Sequence, residues 1–217
     1  MATRLYSAGA SGGSPADNPL SGVSDPSPRR RLTREQRLAQ LMEVSWQLVR
    51  HEGTDALTLG RLAEAAGVTK PVVYDHFGTR HGLLAALYRN FDKRQALILD
   101  AALAASEPDL ESKAHVIAAN YIGCVLAEGR ELPDVLAALS ASPELAAIKK
   151  ECQQSYIAKC LKVLSPFTPT KPLSKAALWA MLGAADALSN AVFTGDISEA
   201  DAYSELRGLI IAMVGRA

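Results

Sequence analysis

Between residues 33 and 52 the apolar positions are Leu38, Leu41, Met42, Trp46, Leu48 and Val49. Steps of three and four put most of them on one side of a helix. Thr33 followed by Gln36 has the form of a capping box, and Gly53 is a natural stop. The same reasoning predicts a second helix after Thr58, running through Leu62, Ala63 and Ala66 to Gly67. A third starts at Thr69 and ends near Phe77 and Gly78. A long fourth runs from Arg80 to about Ala105, before Pro108. Further helices are expected over Leu110–Glu128, Leu132–Ser140, Pro143–Leu164, Ser174–Phe193 and Ser198–Val214, with a proline-punctuated loop at 165–172. The expected class is all-α with about nine helices, since strand-like alternation is missing.

One stretch breaks the pattern of plain amphipathic helices. TKPVVYDHFGTR, residues 69–80, keeps only Val73 and Phe77 as a thin apolar grip, four residues apart. Lys70, Tyr74, Asp75, His76 and Arg80 surround them. With Thr69 as N-cap, Pro71 falls in the first turn, where its missing N–H breaks no intrahelical bond. Gly67 suits a turn that needs positive φ, and Ala63 lets two helices cross closely. Leu62, Ala66, Val68 and Val73 then face a shared interior. This is the spacing of a helix-turn-helix, whose second helix enters the DNA major groove.

The run TLGRLAEAAGVTKPVVYDHFGTRHGLL resembles the DNA-binding signature of TetR-family regulators. The close match covers roughly residues 33–94, and beyond it the resemblance is one of all-helical architecture. The resemblance implies a homodimer on a double-stranded palindromic operator, dimerisation through the last two helices, and a pocket in the body for a small inducer. It implies that Thr69, Lys70, Pro71 and Val72 meet base edges or nearby backbone, while Tyr74, His76, Arg80 and Thr58 hold phosphates. Asp75 faces a polyanion. It either accepts from a cytosine amino group or pairs with Arg80 or a neighbouring Arg, and the pairing is preferred. Arg29, Arg30, Arg31 and Arg34 form either an arm on phosphates and the minor groove or a solvated basic linker.

Charge agrees in its distribution rather than its total. The net charge is zero, yet residues 29–94 hold twelve Lys/Arg against seven Asp/Glu, and residues 95–217 hold ten against fourteen. A basic head on an acidic body is expected. The first 28 residues carry six Ser, four Gly and four Pro, and read as a disordered tail. Three domains of the chain follow: the tail at 1–28, a helix-turn-helix domain at 29–79, and a helical ligand-binding and dimerisation domain at 80–217. No run of 18 apolar residues predicts a membrane span. Cys124, Cys152 and Cys160 make no disulfide framework, and a cytoplasmic setting is expected.

In the body, Tyr121, Tyr156, Trp179, Asp186 and Asn190 are candidate pocket residues, and the expected effector is small and mostly apolar. Leu182, Ala185 and Leu188 with Leu206, Leu209, Ile210 and Met213 are candidate dimer contacts on two helices rich in small residues. HExxH, GxSxG, a P-loop and paired CxxC are all missing, and the four histidines are scattered. The expectation is no enzyme, no metal and no cofactor. A redox switch through the cysteines, or a helical interaction module without an inducer, is the competing reading.

Overall fold

A computed structural model describes residues 32–127 and 142–217, together with 135, 137 and 138. The N-terminal tail, Arg29 to Arg31 and most of the expected helix at 132–140 lie outside the described residues. Val135, Ala137 and Ala138 are helical. Among the described residues there are eight bounded α-helices and no strand. They are α1 (Arg34–Glu52), α2 (Leu59–Ala65), α3 (Lys70–Phe77), α4 (Arg80–Ala105), α5 (Leu110–Ala127), α6 (Pro143–Leu164), α7 (Lys175–Thr194) and α8 (Glu199–Gly215), with a 3-10 turn at Ser165–Phe167.

Local chemistry sets most of the boundaries. The capping box of α1 forms as read: Gln36 N–H donates to Thr33 Oγ1 at 3.2 Å, and Thr33 N–H donates to Gln36 Oε1 at 3.0 Å. Thr58, Thr79, Ser142, Ser174 and Ser198 cap α2, α4, α6, α7 and α8 in the same way. Each gives one of the orphan N–H groups of a first turn an acceptor. Gly67 reverses the chain between α2 and α3 at φ +64°, and Val68 N–H then donates back to the Ala63 carbonyl at 3.0 Å.

Two apolar cores hold the molecule, and α4 runs through both. The first joins α1, α2 and α3 to the start of α4 through Leu41, Leu62, Val73, Phe77, Leu83 and Leu87. It does not stop at residue 79. Tyr88 and Phe91 further along α4 belong to it, as do Leu145 and Cys152 from α6. The second core takes Leu99 and Leu103 from α4 and the inward faces of α5, α6, α7 and α8. At 26 residues, α4 spans about 39 Å. It is therefore one rigid rod shared by the head and the body.

Candidate nucleic-acid interface and interior cavity

The α3 side chains divide as the wheel predicts. Val73 and Phe77 are buried, while Lys70, Pro71, Tyr74 and Asp75 are exposed, Tyr74 by 53%. Val72 and His76 are half-buried on either flank. Pro71 lies in the first turn, and Thr69 occupies the N-cap position with its hydroxyl unused in capping. The Lys70 stem runs beside Gly60, with its Cε 3.7 Å from where a β-carbon on that glycine would stand. Thr58 Oγ1 accepts from Arg61 N–H at 3.1 Å at the mouth of α2. Thr58, Thr69, Lys70, Pro71 and Tyr74 thus form one exposed surface with Val72 and His76 at its edges.

Arg80, half-buried beside that surface, is engaged within the chain. Its Nε donates to the Leu57 carbonyl at 3.0 Å, and its Nη2 to the Thr54 carbonyl at 2.8 Å. The guanidinium fork ties α4 to the loop before α2, adding a second donor to the Thr54 carbonyl, which already accepts from Leu57 N–H, and supplying one to the Leu57 carbonyl. Asp75 does pair with an arginine, but with Arg34 rather than Arg80. Arg34 Nη1 lies 3.7 Å from Asp75 Oδ2, and both side chains are largely exposed. Arg61 is bound by Glu52, whose carboxyl the guanidinium hydrogen bonds hold below its ordinary range.

Within the body, α4, α5, α6 and α7 line a partly open cavity of about 140 Å³. Tyr88, Phe91, Tyr121 and Tyr156 supply rings, and Asp92, Asp186 and Cys152 supply polar atoms. Tyr121 Oη donates to Asp186 Oδ1 at 2.6 Å, and the Tyr121 and Tyr156 rings meet edge to face at 5.4 Å. Burial raises the Asp92 carboxyl, partly offset by the hydrogen bond from the Cys152 thiol and by the Lys159 charge. Burial also pushes the Cys152 and Cys160 thiols up to about 12. That direction opposes the thiolate that a redox-reactive cysteine needs. Of the five expected lining residues, Tyr121, Tyr156 and Asp186 are present. Trp179 and Asn190 are not, because their positions on α7 point outward and both are exposed.

Sequence reasoning missed Tyr88, Phe91 and Asp92. Their signal was present: residues 88, 91, 92, 95 and 99 recur at helical spacing along α4. No group of three or more metal-ligating side chains occurs among the described residues.

The expected dimer residues also divide. Leu182, Ala185, Leu206, Ile210 and Met213 are buried in this chain's own second core. They cannot offer a surface to a partner, since α7 and α8 pack on each other and on α5 through those positions. Leu188 and Leu209 are half-buried. The outer side of α7 instead carries exposed Trp179, Gly183 and Phe193, and the outer side of α8 carries exposed Gly208 and Ala212. By length and composition α7 is apolar enough to cross a membrane, and only 28% of that stretch is buried within the chain.

Residues 41–87 match the family model described as bacterial regulatory proteins of the tetR family. A curated relative, the HTH-type transcriptional activator FasR of Mycolicibacterium smegmatis, is 38% identical over 73 residues. That match covers 31% of this chain, and the chain spans about a third of the length of the relative, 33%. A tetR-family transcriptional regulator from Streptomyces coelicolor superposes with a TM-score of 0.65 at 18% identity, covering 84% of this chain and 82% of that one. The multidrug binding protein EbrR, solved with imidazole, superposes with a TM-score of 0.64 at 18% identity, covering 82% and 95%. At such identities the two structures speak for the fold alone.

An exposed helix-turn-helix stands ahead of an all-helical body. With residues 41–87 matching as they do, the chain is a TetR-family transcriptional regulator.

Proposed function

We propose that the chain represses transcription in the cytoplasm by binding a palindromic operator as a homodimer, and that a small molecule in the α4–α7 cavity releases it. One observation carries the reading. Tyr88, Phe91 and Cys152 line the cavity and also belong to the core of the reading head. A ligand that moves those side chains moves the base on which α3 sits. A dimer must hold its two recognition helices about 34–36 Å apart to reach successive major grooves. A ligand that favours another spacing weakens binding by its differential affinity for the two states.

The DNA surface proposed is Thr58, Thr69, Lys70, Pro71, Val72, Tyr74 and His76, with Arg34 beside it. Arg80 acts as a brace beneath. The dimer surface proposed is the outer face of α7 and α8, because the exposed apolar side of α7 is otherwise left in water. EbrR, a multidrug binding protein of the same fold, supports a ligand-holding body.

Selection of duplexes from a random pool by the full-length chain tests the reading. The expected product is one palindrome whose affinity falls steeply with salt. Failure to enrich any palindrome refutes operator binding. The relative is an activator. A regulator of that kind here would keep or tighten its operator when the effector is added, whereas a repressor lets go.

A further inference from the structure

We propose that the α4–α7 cavity is built for an organic cation, a compact aromatic or alkyl ammonium seated among Tyr88, Phe91, Tyr121 and Tyr156 and neutralised by Asp92 and Asp186. The inference rests on the effector reading above and sets its chemistry, in place of the mostly apolar ligand expected from sequence.

Three features lead there. Four aromatic rings line one cavity, Tyr121 and Tyr156 edge to face at 5.4 Å and Tyr88 and Phe91 stacked at 6.3 Å. Ring faces carry negative potential and attract cations. Next, Asp92 is half-buried, and among the described residues no cation lies within salt-bridge reach of it. The Cys152 thiol shares the lining with it, and a thiol is a weak donor. A desolvated carboxylate calls for a positive partner. Lys159 lines the same cavity, but its ammonium is 2.6 Å from Asp100 and 3.1 Å from the Ala96 carbonyl. Finally, the Tyr121 phenol spends its one proton on Asp186, so its oxygen offers a ligand only acceptor lone pairs.

The two carboxylates share the lining with the neutral amides of Gln95, Asn120 and Gln153 and the Ser155 hydroxyl, which can serve a ligand of either sign. Lys149 is the counterweight, the other ammonium on the lining, and an anionic ligand would seek it. The volume of about 140 Å³ is close to that of an engineered cavity that takes benzene, about 150 Å³. One ring with a compact head group fits that scale.

Calorimetric titration of the full-length protein with benzyltrimethylammonium, benzyl alcohol and benzoate separates the cases. The cation is expected to bind about tenfold or more tightly than the other two, and Asp92→Asn and Asp186→Asn each to weaken it by about tenfold. Melting curves confirm that the variants fold, and Asp186, being exposed, gives a variant that does not disturb the core. Benzoate binding best would assign the cavity to anions through Lys149 and overturn the inference, while leaving an effector site intact. Benzyl alcohol binding equally would make the cavity indifferent to charge and overturn it too. Wild-type cation affinity in both Asn variants would remove the carboxylates from recognition. No binding of any of the three would overturn this inference together with the effector reading.

Discussion

Tyr74 and Phe77 are three residues apart on α3 and serve opposite ends. Phe77 is buried in the first core, so Phe77→Ala is expected to cost about 3–5 kcal/mol of stability. Tyr74 is 53% exposed, and Tyr74→Ala should leave melting almost unchanged while weakening operator binding. Thermal melts and operator titrations on both variants check this, and equal early melting would mean that Tyr74 is structural. Arg80 supplies the second contrast. Its fork reaches the Thr54 and Leu57 carbonyls; without it the Thr54 carbonyl keeps the Leu57 N–H, but the Leu57 carbonyl loses its donor, at about 1–3 kcal/mol. Arg80→Ala should therefore lower the melting temperature. The slope of log affinity against log salt should stay the same, whereas removal of a true phosphate contact flattens it by about one. A flattened slope without lost stability would return Arg80 to the DNA surface.

Helices were the most legible level of the chain, because caps and breakers act locally. Thr33, Thr58, Gly67, Pro71 and Gly78 each marked a boundary that the structure places at or beside them. The inside and outside of α3 followed from the 73/77 pair for the same reason. Faces of α7 and α8 did not follow. α7 and the last half of α8, Gly208–Gly215, are apolar nearly all round, so periodicity cannot say which apolar side meets the chain's own core. The partner of Asp75, the bracing role of Arg80 and the α4 wall of the cavity depend on contacts across tens of residues, which spacing does not encode. One junction was hidden as well. Gly82 begins α4 so close under α3 that a β-carbon there would stand 2.1 Å from the Phe77 carbonyl oxygen. Backbone cannot yield as a flexible side-chain end does. Gly82→Ala, normally favourable in a helix by about 1 kcal/mol, is expected to destabilise here and to tilt α3 against α4. Urea unfolding, alongside operator affinity, would register it. A gain in stability would show that the junction relaxes.

At the scale of the whole molecule, the test of assembly follows from where α7 spends its apolar surface. Trp179→Glu or Phe193→Glu alters the exposed side and should give folded monomers with weakened operator binding, read by light scattering and circular dichroism. Leu182→Glu buries a charge in the chain's own core and should unfold it instead. Dimers of unchanged strength in both outer variants would exclude that face.

Under the induction proposed above, the wall of Tyr88, Phe91 and Cys152 has a consequence that runs opposite to it. Binding free energies at two coupled sites are reciprocal, so any factor by which the effector loosens DNA is the factor by which DNA loosens the effector. Operator duplex then behaves as a competitor for the small molecule without touching its pocket. Many copies of the operator on a plasmid would shift the dose response to higher effector concentration twice over, by titrating protein and by lowering each bound dimer's appetite for the inducer. Calorimetry of the effector against protein alone and against protein saturated with operator should give the same ratio as operator titrations with and without effector.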